Sequence, residues 1–331
     1  MLWGTYVRTT AIDRLVERFL ATSPDQPKQI VSLGAGSDTR FFRILSTRSS
    51  APLVYHEIDF PANTRQKISA IKRTPTLLSV ITSHLANPAE VTISDDFTSL
   101  HSPVYNVHPL DLRSLASKPP EAESSASLPE LPNISPTTPT LILSECCLIY
   151  LPPDDADSIV ANLTARLIPA PTPLSIILYE PIKPNDSFGK VMISNLARRG
   201  IVLQTLKKYS SLYRQCERLK RSGFASGQAA AEVDFIWKNW ITDVDMAEID
   251  KKVEEHLDEV EELLKIRDEK STRWSDGLRG GKLELVHARI DEAPTYETIS
   301  YVWGGSDKSQ NVQLAHDLTL PLTETLHRLL P

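Results

Sequence analysis

Ile30-Val31-Ser32-Leu33-Gly34-Ala35-Gly36-Ser37-Asp38-Thr39-Arg40-Phe41-Phe42 runs from a short apolar stretch through a glycine turn into a helical pattern that Leu45 continues. Ile30 to Leu33 read as a buried strand, and the spacing of Phe41, Phe42 and Leu45 reads as the helix after it. Gly34 and Gly36 let the chain turn tightly and bring backbone N–H groups close to an anion. A second strand-like stretch, Pro52-Leu53-Val54-Tyr55-His56-Glu57-Ile58-Asp59, closes on an acid. An acid about 20 to 25 residues beyond such a turn can accept hydrogen bonds from ribose hydroxyls. Asp111 and Glu145 close two further strand-like stretches. Ligands of open α/β sheets sit outside the carboxyl ends of the strands, so this series of acids predicts a nucleoside-bearing cofactor.

Working outward, residues 8 to 21 place Ile12, Leu15, Val16, Phe19 and Leu20 on one helical face, and Pro24 and Pro27 end the pattern. Pro61 opens a basic helix containing Arg65, Lys67 and Lys72. Residues 77 to 82 read as a further short strand, and 105 to 111 as the strand that carries Asp111. Between 117 and 140 the abundance of Ser, Pro and Glu predicts a mobile surface loop. Leu141-Ile142-Leu143-Ser144-Glu145 is a strong buried strand, Pro152-Pro153-Asp154-Asp155 starts a helix ending near Leu167, and residues 175 to 180 form a fifth strand. Strands and helices alternating at these lengths predict an α/β fold with a doubly wound, mostly parallel, Rossmann-like sheet. Helices are expected over 188 to 199 and 211 to 222, with Gly200 and Gly223 as their stops. Residues 251 to 270 read as a solvated amphipathic helix, and a strand-rich tail begins at Leu283.

The chain has 331 residues and a net charge of −6, which gives no electrostatic reason to expect nucleic acid or an anionic membrane as partner. Cys146, Cys147 and Cys216 show neither a disulfide framework nor metal-ligand spacing, and the adjacent pair reads as small buried residues. No run of about 18 apolar residues and no secretory pattern occurs, so a soluble cytoplasmic protein is expected. Some of the acids have purely structural readings as well. Asp38 and Thr39 suit a helix cap, Asp111 can cap the turn through Leu112 and Arg113, and Glu145 can pair with Arg8.

Joined to Gly4-Thr5-Tyr6-Val7-Arg8, Ser144-Glu145-Cys146-Cys147-Leu148-Ile149-Tyr150 and Tyr179-Glu180-Pro181, the glycine loop closely resembles the leucine carboxyl methyltransferase family over residues 4 to 265. Asn185-Asp186-Ser187-Phe188-Gly189-Lys190-Val191-Met192 and Gln215-Cys216-Glu217-Arg218-Leu219 extend the resemblance into helices that shape the substrate pocket in that family. The resemblance implies methyl transfer from S-adenosyl-L-methionine to the C-terminal leucine carboxylate of the protein phosphatase 2A catalytic subunit, by a monomer. It implies that Arg8 holds the cofactor's carboxylate, Gly34 passes beneath its methionine part and Asp59 holds the ribose. Asp111 and Leu112 would bracket the adenine, and Glu145 would face the ammonium. Tyr150 and Tyr179 are the candidates for positioning the substrate carboxylate, with no general base expected.

The family has several dozen residues ahead of the part matching Gly4 to Arg8, among them a lysine that helps hold the cofactor, so the pocket is expected to be open on that side. Residues 1 to 265 are thus read as a methyltransferase domain and 266 to 281 as a linker. Leu283 to Ala288 and Tyr296-Glu297-Thr298-Ile299-Ser300-Tyr301-Val302-Trp303-Gly304 resemble the opening of a fungal heterokaryon-incompatibility domain, of which residues 282 to 331 would be a fragment. Such a fragment is expected to pack on the methyltransferase, with 283 to 290 adding an edge strand. Two other functions fit parts of this pattern: a carboxyl methyltransferase of the wybutosine-tRNA type, and an incompatibility-signalling protein with a weak enzyme attached.

Overall fold

The structure is a computed structural model that describes residues 2–47, 52–116 and 128–247, together with five short strands between 272 and 322. The chain divides into two compact units, 1–241 and 242–331. In the first, α1 (Leu2–Ala21) leads into β1 (Lys28–Leu33), α2 (Arg40–Thr47), β2 (Leu53–Asp59) and α3 (Pro61–Arg73). After α4 (Pro75–Thr82) come two short strands, β3 (Thr92–Ile93) and β4 (Leu100–His101), then β5 (Tyr105–Pro109) and β6 (Thr140–Glu145). The unit closes with α5 (Pro153–Asn162), β7 (Leu174–Tyr179), α6 (Ser187–Ala197), α7 (Leu212–Arg221) and α8 (Val233–Trp240).

The seven strands form one sheet in the order β3-β4-β5-β2-β1-β6-β7. β1 pairs in parallel with β2 on one side and β6 on the other, β5 and β7 extend the parallel run, and only β3 and β4 are antiparallel. The chain therefore reverses its winding at β1, the position where α/β sheets open a crevice. Both faces are covered. Ile30, Tyr55, Leu141 and Leu143 pack with Ile12 and Val16 of α1, Phe41 of α2 and Ile68 of α3. Val31, Leu33, Ile58 and Ile142 pack on the opposite side with Leu112, Ile159 and Val160. Neighbouring residues of one strand thus serve opposite cores, as the period of two requires.

The doubly wound fold and the strand ends at Leu33, Asp59 and Glu145 agree with the sequence reading, whereas the strand expected over 105 to 111 ends at Pro109 and leaves Asp111 beyond it. Residues 77 to 82 are a correction: they lie in α4 and not in a strand. Pro75 at the start fixes a helical φ, and Leu77, Leu78 and Ile81 recur at spacings of one, three and four residues, of which Ile81 is buried. Helix α8, unanticipated from the sequence, lays Ile236 against Val7 and Ala11 and so anchors the segment of α1 that carries Arg8. Gly200 and Gly223 stop α6 and α7 with φ of +71° and +101°.

Within the stretch read as a mobile loop, residues 117–127 lie outside the described residues, whereas 128–139 are tied down. The Gln29 side chain accepts from Ser135 N at 2.9 Å, Asn133 Nδ2 donates to Asn106 Oδ1 at 2.8 Å, and Leu131 is buried. The helix read over 251 to 270 also lies outside the described residues. In the second unit Leu285–His287 pairs with Thr272–Trp274, and Lys282–Leu283 pairs with Gln310–Leu314. The expected edge strand over 283 to 290 is not seen in its described part, since 283 and 285–287 pair within the second unit; 284 and 288–290 lie outside the described residues.

Beneath the sheet's outer half lie three histidines. His56 Nδ1 and His108 Nε2 are 3.0 Å apart and both rings are buried, with His101 beside His108. Burial, with His108 and His101 as neighbours, pushes His56 well down, and burial together with His101 pushes His108 to about 3. Glu57 is opposite in sign, since burial pushes it up to about 7 against the attraction of Lys67. A histidine depressed in the fold gives stability that is complete above its unfolded value, about 6.5, and is lost on acidification below it. A raised carboxyl does the reverse between its unfolded value and about 7. Urea midpoints are accordingly expected to fall from pH 7 to pH 5. The fall should be shallower in His108→Leu and steeper in Glu57→Gln; parallel profiles for all three proteins would contradict this assignment.

Candidate functional site

The crevice begins where β1 ends. Gly34 has φ +61° and donates its N–H to Ile58 O at 2.8 Å, which folds the loop back over β2. A Cβ at position 34 would lie 2.5 Å from Cys147 Sγ, so glycine is required for space as well as for conformation. Gly36, with φ +51°, has nothing within 4 Å of where its Cβ would stand. The loop is therefore packed tightly below and open above, the shape of a cradle for a ligand.

Cys147 reaches Gly34 because the chain bends sharply after β6. Cys146 takes φ +48° while its N–H donates to Tyr179 O at 2.8 Å. Burial pushes the thiol of Cys147 up to about 12 and raises that of Cys146 as well, so neither is a thiolate at neutral pH. Both are only partly buried, which corrects the expectation of fully buried residues.

Asp59, at the end of β2, points its carboxylate back at the loop. Oδ2 accepts from Gly36 N at 2.7 Å, and Oδ1 accepts from Phe60 N at 2.7 Å and Asn63 Nδ2 at 2.8 Å. Three donors fix the group and leave about one of its four acceptor positions for a ligand. Lys67 of α3, which the sequence reading passed over as one of several surface bases, braces the same loop from beneath. Its Nζ donates to Asp38 O at 2.7 Å and pairs with buried Glu57.

Glu145, at the end of β6, sits between two guanidinium groups, with Arg8 Nε at 2.8 Å and Arg40 Nη2 at 3.5 Å. Arg40 is buried and also pairs with Asp13 at 2.6 Å and with Asp38. Arg8 keeps part of its surface exposed and lies 5.8 Å from the centre of the Tyr179 ring. The structure thus joins Arg8, Gly34, Asp59, Glu145 and Tyr179 along the carboxyl edge of four strands. Arg40 was missed, because a basic residue at the start of a helix carries no signal until its acids converge on it.

Asp111 is engaged by its own neighbour instead of by that group. Both its oxygens are within 3.0 Å of Arg113 Nε, Oδ1 also accepts from Arg113 N, and the side-chain bond to Arg113 lowers its pKa. This is the turn cap that its sequence context allowed. Leu112, next to it, is buried in the core with Val31 and Ile58. Tyr150 is 42% exposed and lines a cavity of about 480 Å³ with Gly200, Ile201, Val202 and Gln204, whose side-chain amide donates to Tyr150 O at 2.6 Å. Behind Tyr179, Glu180 is buried, with Arg218 Nη1 at 3.4 Å and Gln215 Nε2 at 3.3 Å. Burial raises the Glu180 pKa despite these partners. Arg218 continues to Asp157 at 3.0 Å, so α5, the residue following β7 and α7 share one ion network. Among the described residues no group of His, Cys, Asp and Glu is arranged to hold a metal ion, and no helix is long and apolar enough to cross a membrane.

This arrangement defines an α/β protein with a ligand crevice at a strand-order reversal, and comparison with known proteins makes the class specific. Residues 1–164 match the family described as leucine carboxyl methyltransferase. A protein of Aspergillus fumigatus named leucine carboxyl methyltransferase 1 is 51% identical over 273 residues, covering 78% of this chain and 68% of that protein. The proteins of the same name in Emericella nidulans and Yarrowia lipolytica are 47% and 38% identical, covering 86% and 83% of this chain and 75% and 78% of their own lengths. The chain belongs to the leucine carboxyl methyltransferase family. These matches do not carry the heterokaryon-incompatibility resemblance, which remains a reading of residues 282 to 331.

The packing under the loop can be tested directly. Gly34→Ala should lower the melting temperature clearly more than Gly36→Ala, since position 36 meets only the backbone penalty, about 1–2 kcal/mol. Cys147→Ala should recover part of the Gly34→Ala loss by removing the clashing sulfur. Equal losses at 34 and 36 with no recovery would contradict the packing described.

Proposed function

We propose that the chain transfers a methyl group from S-adenosyl-L-methionine to the C-terminal leucine carboxylate of the protein phosphatase 2A catalytic subunit, forming a methyl ester in the cytoplasm. The observation that carries the reading is the Arg8–Glu145 pair at the end of β6, the strand beside β1 whose end carries the glycine loop. An amino acid is a zwitterion, and a guanidinium next to a carboxylate is its electrostatic complement. Opening that pair exchanges one ion pair for two, Arg8 to the ligand's carboxylate and Glu145 to its ammonium, while Arg40 holds Glu145 in place. Asp59 offers its remaining acceptor position to the ribose. Leu112 and the turn capped by Asp111 would border the adenine from the neighbouring strand. The bound cofactor supplies an electrophilic methyl carbon on a positively charged sulfur.

The residues then have little acid–base work. A carboxylate is already ionised at neutral pH, so the nucleophile needs no general base. The demands are alignment at near-attack distance and removal of water from the nucleophilic oxygen. Burial raises the pKa of both Tyr150 and Tyr179, which keeps their hydroxyls protonated as hydrogen-bond donors. They are suited to hold a carboxylate without accepting its charge. The open cavity beside Tyr150, bordered by Ile201, Val202, Gly200 and Gln204, is where the substrate's terminal residue would be received.

The test is transfer of labelled methyl from S-adenosyl-L-methionine to purified phosphatase catalytic subunit and, in parallel, to tRNA. Base-labile label on the phosphatase is expected. Label on tRNA alone would replace this reading with the wybutosine type. In calorimetry Asp59→Ala should weaken cofactor binding by about tenfold to a hundredfold, the effect of losing a charged hydrogen-bond acceptor. Unchanged affinity would remove Asp59 from the site.

A further inference from the structure

Residues 198 to 221 hold eight Lys or Arg and one acid, Glu217, in a chain whose net charge is −6. Two of these bases are neutralised within the fold. Arg218 is buried against Asp157 and Glu180, and Lys208 Nζ lies 2.9 Å from Asp157. Arg198, Lys207 and Lys220 are exposed and form no ion pair among the described residues. Arg214 ties α7 to the preceding turn, because its Nη1 lies 3.3 Å from the carbonyls of both Lys207 and Lys208.

The surface has two defined ends. One is the cavity of Tyr150, where Ile201 and Val202 are exposed. The other is a cavity of about 280 Å³ bordered by Tyr209, Arg218, Arg221, Ser158 and Ser222, with Asp157, already paired to Arg218 and Lys208, on its wall. Like charges gathered on one face repel one another and oppose the compact state, while they attract and steer an oppositely charged partner. The net negative charge of the whole chain makes this face a local exception and not part of a generally basic protein. Exposed aliphatic residues beside the charges suit a polypeptide better than a phosphate backbone.

Taking the methyl transfer proposed above as its basis, we infer that residues 198 to 221 dock an acidic stretch of the protein substrate next to the tail bearing the accepting carboxylate. The tail enters the cavity of Tyr150 and the acidic stretch lies across Lys207 and α7. Recognition is thereby divided, with the pocket reading the terminal residue and the basic face reading the protein that carries it.

The experiment compares wild type with the triple variant Arg198→Glu, Lys207→Glu, Lys220→Glu, three exposed positions that are not among the residues assigned to the cofactor. Association with the intact phosphatase catalytic subunit is measured directly at low and physiological salt, alongside KM and kcat for methyl transfer, calorimetry with S-adenosyl-L-methionine, and melting temperature. Affinity for the phosphatase is expected to fall about tenfold or more at low salt, with its salt dependence flattened. Cofactor affinity and kcat should be unchanged. A variant that binds the phosphatase like wild type at both salt concentrations would overturn the inference, whether or not its melting temperature rises through relieved repulsion. Competition by tRNA that disappears in the variant would also overturn it, in favour of a nucleic acid. Wild type that binds in this salt-sensitive manner but transfers no methyl would support the docking face while removing the proposed reaction.

Discussion

The carboxylate of Glu145 is the junction on which the crevice depends. It ends the strand next to the reversal of winding, and it is held by Arg8 from α1 and by Arg40 from α2. Those helices pack on one face of the sheet, so the two ion pairs draw their polar residues over its carboxyl edge. Arg40 has almost no solvent access, and a cation so placed is tolerable only because Asp13, Asp38 and Glu145 surround it. Burial opposes its charge, yet the nearby acids win and hold it protonated. Arg8 is different. It is partly exposed, bound to a single acid at close range, and anchored through its neighbours Val7 and Ala11. Of the two guanidiniums it is the one that, in the proposed function, exchanges its partner for a ligand.

A second constraint is steric. The left-handed turn at Cys146 sends Cys147 under Gly34, and the absence of a side chain at 34 makes room for it. The glycine loop is thus supported from below by a sulfur, from the β2 side by Asp59 and Ile58, and from α3 by Lys67. Such support matters for a reaction whose chemistry is chiefly alignment, because a displacement of about 1 Å at the reacting atoms costs on the order of a hundredfold in rate.

The parallel core was legible because its signals are local: apolar runs ending in acids, and prolines and glycines at helix boundaries. Asp59 and Glu145 could be placed at strand ends from their own neighbours in sequence. What could not be read was convergence. Arg40, Lys67 and Arg218 are ordinary basic residues in helical patterns, and their roles exist only once Glu145, Glu57 and Glu180 are brought to them by other strands. The error at 77 to 82 has the same origin, since a short apolar run suits a strand or a helix until packing selects Ile81 alone for burial. Asp111 shows the converse case. Expected to close its strand, it lies two residues past the end of β5 and is engaged by its own neighbour, Arg113.

The central claim is that Arg8 and Glu145 together receive the amino-acid end of the cofactor. Titration calorimetry of S-adenosyl-L-methionine against 5′-methylthioadenosine, which keeps the nucleoside and lacks the amino acid, measures that end by difference. In Arg8→Met and in Glu145→Gln, affinity for the full cofactor should drop by about tenfold or more, the worth of a charged hydrogen bond, while affinity for the nucleoside thioether stays near wild type. Equal losses for both ligands, or no loss for either, would contradict the account.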